Sequence, residues 1–274
     1  NLEASTREVI KGLSAQETAN LLQRVPRVYN TQINDVLLSA FLVAFWQTTG
    51  NPRLLLDLEG HGREEIISGV DISRTVGWFT SLFPIVLSLE TDWLRNSRWG
   101  AILKSIKEQL RRVPANGIGY GIAKYLGDAA SGALRRDSHL QATIQFNYLG
   151  RFDGQGSSDS MFATAPEPPG AFARIASPRQ PRPYLLEVQG MITDDSLRFI
   201  WLYSENLNDT STIEALADGY MESLRAIIDH CVNKKQREFT PADFPLANLD
   251  QGKLDRLSQV LKQREESSDR AHSS

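Results

Sequence analysis

The chain has 274 residues, with 30 Lys and Arg against 33 Asp and Glu, and a net charge of −3. A balance this close to neutral leaves no electrostatic footprint for nucleic acid, and 41% hydrophobic residues are enough for a core, which excludes wholesale disorder. The longest apolar run, Val36 to Trp46, is interrupted by Ser39 and is too short to span a membrane, and the single cysteine, Cys231, cannot close an internal disulfide.

The lone cysteine favours a reducing compartment, and a cytoplasmic protein is expected. The first residues, NLEASTREVIKG, lack the apolar core of a signal peptide and an initiator Met, so the sequence reads as a piece of something longer.

In chain order, Arg7–Gly12 reads as a short strand. Ser14-Ala15-Gln16-Glu17 is a capping-box signature for a helix to about Arg24. Ile33, Val36, Leu37, Ala40, Phe41, Ala44 and Phe45 have helical spacing within Thr31–Thr49, closed by Gly50 and Pro52. Arg53–Leu58 suits a buried strand ending in Glu59-Gly60, and Leu82–Leu89 is a second strand that Pro84 assigns to an edge or a strand start. Trp99–Arg112 reads as an amphipathic helix. Gln141–Tyr148, Tyr184–Gly190 and Leu197–Tyr203 read as strands, and Thr210–Val232 as a long helix. Gly154–Pro183, rich in Gly, Ser and Pro, is too long for an ordinary connection and reads as an irregular loop within one domain. The domain is expected to cover 1–261, and 262–274 to be a charged tail or interdomain linker. Strands interleaved with helices predict an α/β sandwich on a mixed sheet.

Four islands are not explained by patterning. Glu59–Glu64 (EGHGRE) sets a histidine between two glycines directly after a strand, which allows a tight turn beside a carboxylate. Taken alone, such a hexapeptide is better explained as a solvated β-turn, and a metal site from Asp57, Glu59, His61 and Glu64 has no second His/Cys cluster behind it. Arg74–Thr80 (RTVGWFT) and Pro114–Gly121 (PANGIGYG) follow. The second has glycine spacing like a phosphate loop, but no Lys-Ser/Thr follows and a helix, not a strand, precedes it. Phe146–Gly150 (FNYLG) is the last, and each aromatic taken singly is better explained by a core than by catalysis.

Together these islands resemble the epimerization domain of nonribosomal peptide synthetases, within the condensation-domain superfamily. EGHGRE and RTVGWFT match the family's motifs without change. Pro114–Gly121 matches PxxGxGYG, Phe146–Gly150 matches FNYLG, and Asn34–Ala40 looks like the DxLLxA helix. Phe239–Ala247 resembles the usual domain end. The family's HHxxxDG motif is missing, since His61, His139, His230 and His272 are all isolated. The sequence therefore looks like the C-terminal half of the domain.

The resemblance implies one chloramphenicol-acetyltransferase-like subdomain facing a second across a channel. The implied substrate is an aminoacyl or peptidyl thioester on the 4'-phosphopantetheine of a carrier protein, with no cofactor bound by the chain itself. The implied partners are the N-terminal half of the same domain, the peptidyl carrier protein and a downstream synthetase module, with no nucleic acid or membrane. Inverting the α-carbon requires a proton acceptor and donor on opposite sides and donors for the enolate. By resemblance Glu59 is one acid/base, the missing half supplies a histidine, and Asn147 and Tyr148 bind or protonate the enolate. His61, Arg63, Arg74, Trp78, Gly119 and Tyr120 are expected to support the site or line the channel. Arg63 could orient a carboxylate or make a structural ion pair. Alternatives are a condensation or dual-function domain, a non-catalytic docking module for carrier proteins, and an unrelated acyltransferase of the same fold.

Overall fold

The computed structural model describes residues 1–64, 66–126, 141–151, 176–234, 236–247, 249–257 and 259–260. The expected tail over 262–274 and most of the Gly154–Pro183 loop lie outside them. The part of that loop that is described, 176–183, is irregular, as expected.

Six strands form one mixed sheet: β1 (Thr6–Gly12), β2 (Arg53–Gly60), β3 (Ser81–Ser88), β4 (Ile144–Arg151), β5 (Leu186–Thr193) and β6 (Ser196–Ser204), in the order β1-β6-β5-β4-β2-β3. β4 runs parallel to β2 and β5, and the other pairings are antiparallel. β3 is an edge strand, where the missing N–H of Pro84 is tolerated.

The helices are α1 (Ala15–Gln23), α2 (Val25–Tyr29), α3 (Ile33–Thr49), α4 (Thr91–Arg95), α5 (Trp99–Arg111), α6 (Ile118–Tyr125) and α7 (Thr210–Asn233). α1 opens with the capping box foreseen, Ser14 and Glu17 bonding each other's backbone N–H. α3 closes at Gly50 in the left-handed conformation. α3 is buried beyond the apolar positions that mark its helical spacing: Val36 through Ala44 are all buried, because the helix is enclosed by α7, α5 and the sheet. α2, α4 and α6 have no counterpart in the sequence reading.

Strand alternation sorts the sheet into two faces. Leu54, Leu56, Leu58, Phe146, Val188, Phe199 and Trp201 meet the helices in the core cluster. The opposite face carries Leu55, Asp57 and Glu59 on β2, Gln145 and Asn147 on β4, and Glu187 and Gln189 on β5. Across β5 and β6 this face is tied to the N-terminus by Arg182, which bonds Thr6, Glu3, Glu187 and the Leu202 carbonyl. Residues 1–4 in turn bond the backbone of 178–182. Around β2 and β4 the same face presents a polar patch.

Candidate active site

Glu59 is at the C-terminal end of β2, as the strand-then-glycine pattern required. β2 and β4 are parallel, with Asp57 paired to Gln145 and Leu58 to Phe146. The next residue on each strand is Glu59 and Asn147, both on the face away from the helices. Gln145 lies on that face too and donates from Nε2 to Glu59 Oε2 at 3.2 Å. Partial burial raises the Glu59 carboxyl above its ordinary value. Two other carboxylates share the patch and have stronger partners. Tyr184 donates its hydroxyl to Asp57 Oδ2 at 2.8 Å, and Arg182 Nη2 lies 2.8 Å from Glu187 Oε1. Burial, then the hydrogen bond to Asp57, pushes the Tyr184 phenol far above its usual range. A carboxylate with raised pKa and an amide-lined neighbourhood can exchange a proton with a weak carbon acid.

The sequence places Tyr148 with Glu59, and the structure corrects this. Tyr148 pairs with Gly190 on β5, whose face is that of Val188 and Ile192 in the core. Its ring packs against the core cluster from the helix side. Burial raises its phenol pKa, with Arg151 opposing. Glu59 and Asn147 are therefore brought together on one face, and Tyr148 is at the same end of the sheet on the other face.

The remaining motif residues build the loop between β2 and β3. Gly62 has φ +64°, and a Cβ there would fall 1.6 Å from the Phe79 carbonyl oxygen, so only glycine fits this crossing. Among the described residues Arg63 neither bonds Glu59 nor pairs with a carboxylate, the two roles weighed from the sequence. Its Nη1 donates to the carbonyls of Ile72 (2.8 Å) and Thr75 (3.0 Å), and its guanidinium lies 4.2 Å from the centre of the Phe79 ring. His61 is exposed, accepts at Nδ1 from the Arg63 N–H and lies 3.6 Å from Glu64 through Nε2. Glu64 accepts from Asn116 at 2.8 Å, which joins this loop to the third island. There Ala115, Asn116 and Gly117 all have positive φ, and a Cβ on Gly117 would meet the Phe83 ring at 2.1 Å. Gly119 is exposed at the start of α6, and Tyr120 packs partly against the core. Arg74 is exposed, and Trp78 is 91% exposed. No group of three or more His, Cys, Asp or Glu able to hold a metal occurs among the described residues.

Sequence reasoning missed Gln145 and the Asp57–Tyr184 pair. The signal was present as period-2 alternation: Leu56-Asp57-Leu58-Glu59 and Gln145-Phe146-Asn147-Tyr148 each put alternate residues on the polar face.

This mixed sheet and its helical layer have the architecture of a condensation-type domain. The condensation-domain family model matches residues 3–249, and the chain belongs to that family. A linear gramicidin synthase of Brevibacillus parabrevis is 46% identical over 93% of this chain, which corresponds to 3% of that protein. Gramicidin S synthase 1 of Brevibacillus brevis is 35% identical over 95% of this chain and 24% of its own length. Among solved structures, the epimerization domain from the third module of tyrocidine synthetase B superposes with a TM-score of 0.75 at 34% identity, covering 86% of this chain and 50% of that one. The chain thus spans only a small part of the curated relatives it matches and half of that solved domain. The fold is the chloramphenicol-acetyltransferase-like α/β sandwich expected from the sequence.

Proposed function

We propose that this chain forms the Glu59 wall of an epimerization domain, which inverts the α-carbon of an aminoacyl or peptidyl thioester held on a carrier protein's phosphopantetheine. The observation that supports it most is Glu59 itself: a carboxylate at a sheet end, lifted in pKa by burial and met by a neutral amide. A thioester α-proton is weakly acidic, so a carboxylate in the ordinary range is a poor base for it, and a raised one is better matched. Glu59 takes or returns the proton on one side. A histidine from the preceding half of the domain serves the other side, and the Asn147 amide donates to the enolate oxygen. The partners in this reading are that preceding half, the carrier protein and the next synthetase module, inside the cytoplasm, with the domain ending near residue 261.

The test joins this chain to the sequence encoded before it and follows exchange of the substrate α-proton with solvent deuterium, together with the chirality of the released amino acid. Glu59→Gln should reduce exchange by about 100- to 10,000-fold, and the 274-residue chain alone should be inactive. Tyr148→Phe should stay within about tenfold, since its ring faces the helices. Rapid exchange by the isolated chain would overturn the two-wall mechanism. The match to the condensation family favours a second reading, amide formation between two carrier-bound substrates. An amide product with retained L chirality would establish that instead.

A further inference from the structure

Gln145 is flanked in the sheet by two carboxylates, Asp57 on β2 and Glu187 on β5. Neither takes its amide: Tyr184 occupies Asp57 and Arg182 occupies Glu187. The Gln145 side chain instead runs along the open face toward the strand end and donates to Glu59 Oε2. We propose that Gln145 is a positioning residue for Glu59, holding Oε2 so that proton transfer falls to Oε1. This rests on the acid/base reading of Glu59 and assigns how that group is aimed.

The chemistry fits a neutral amide better than a cation. A carboxylate rotating about its last bond presents either oxygen, and one fixed donor removes that freedom. An arginine or lysine would favour the ionised form strongly and pull the pKa down. An amide holds the group with much less bias. It donates through Nε2 to Oε2 of the carboxylate, and Oε2 remains a carbonyl acceptor for the same N–H once the proton sits on Oε1. Gln145 can therefore stay bonded to Glu59 through both halves of a proton-transfer cycle. The burial that raises the Glu59 pKa is offset only in part.

The first measurement is the titration of Glu59 in the 274-residue chain, followed by NMR of its 13C-labelled side-chain carboxyl. Gln145→Met, which is similar in length and lacks a donor, should raise the Glu59 pKa by about one unit, the size of one hydrogen bond to a charged group. Gln145→Lys should lower it. The second measurement is exchange kinetics in the domain restored with its preceding half. There Gln145→Met should lower kcat about tenfold, leave KM unchanged and move the rising limb of the pH profile upward with the titration. A Glu59 titration unmoved by both substitutions, or a moved titration with unchanged kcat, would overturn the positioning role while leaving Glu59 as acid/base. Exchange that survives Glu59→Gln would overturn the acid/base reading, and any role of Gln145 in the reaction with it.

Discussion

The substitution Asp243→Ala should be among the most damaging single changes in this chain, although it lies far from Glu59 in sequence. Lys107 on α5 is 1% exposed, and its Nζ bonds both Asp243 oxygens, at 2.7 and 2.6 Å, and the Tyr29 carbonyl at 2.9 Å. Asp243 also accepts from the Asn30 side chain at 2.6 Å and the Thr240 N–H at 2.8 Å. This clamp fixes the C-terminal segment 238–247 against α5 and the end of α2. Removing the carboxylate leaves a buried ammonium with one carbonyl, which costs about 3–5 kcal/mol. Lys107→Met should cost less, about 1–3 kcal/mol, because Asp243 keeps two donors. In a chain of this size each kcal/mol lowers Tm by about 2 °C, so Asp243→Ala should melt about 6–10 °C earlier.

The assay is urea and thermal unfolding followed by tryptophan fluorescence, on both single variants and the double variant. The two effects should fall short of adding by about 2 kcal/mol or more, because the second loss removes an already unpaired charge. The pH dependence carries a sign as well. Burial pushes the Asp243 carboxyl up, but Lys107, the Thr240 N–H and Asn30 outweigh it and hold it below the ordinary value. Its contribution is therefore complete above the unfolded pKa near 3.8 and is lost as pH falls through the lower folded value. Additive single effects, or a loss below about 1 kcal/mol for Asp243→Ala, would refute the clamp.

Gly62→Ala should be destabilised by about 2 kcal/mol or more, from left-handed backbone strain plus the clash with the Phe79 carbonyl. In the restored domain it should also slow exchange at least tenfold, because Gly62 lies only three residues after Glu59. His230, bonded to the Tyr29 hydroxyl at 2.8 Å, has its pKa lowered by burial and then by Lys234. The unfolded chain takes that proton first, so stability should fall as pH drops below about 6.5, and His230→Gln should lack that slope in denaturant titrations from pH 8 to 5.

Much of this fold was legible because hydrophobic spacing is a local signal. β1, β2, β3, β5 and β6, α1, α5 and α7 all fall within a few residues of where periodicity puts them. α2 was missed because Pro26 reads as a breaker, yet proline is accommodated in a first helical turn. α6 was missed because it starts in a glycine-rich island whose turn needs three successive positive φ angles. The full burial of α3 was illegible for another reason: Ser39 looks polar, and only the structure shows its hydroxyl satisfied by the Asp35 carbonyl inside the helix. At the site, the glycines of EGHGRE put Glu59 at a strand end, where the structure has it. Adjacency within FNYLG then suggested that Asn147 and Tyr148 act together. Neighbours on a strand point to opposite faces, so the motif's continuity concealed its division.

The same division between sheet and loop decides how Trp78 should be tested. Arg63 ties the β2–β3 loop to itself through the Ile72 and Thr75 carbonyls and the Phe79 ring, so the loop holds its shape without its outermost side chains. Val76 and Trp78 are 99% and 91% exposed and contribute nothing to the core cluster. Trp78→Ala should therefore change unfolding stability by less than about 0.5 kcal/mol, the usual range for a surface position. If Trp78 lines the channel of a restored domain, as the RTVGWFT resemblance implies, the same substitution should still lower exchange. The informative outcome is this separation of stability from activity in one variant, with Phe79→Ala as the contrast, since that change removes the ring beneath Arg63 and should loosen the loop. A stability loss above about 1 kcal/mol for Trp78→Ala would mean that the indole packs within this chain, and the loop's geometry would have to be redrawn.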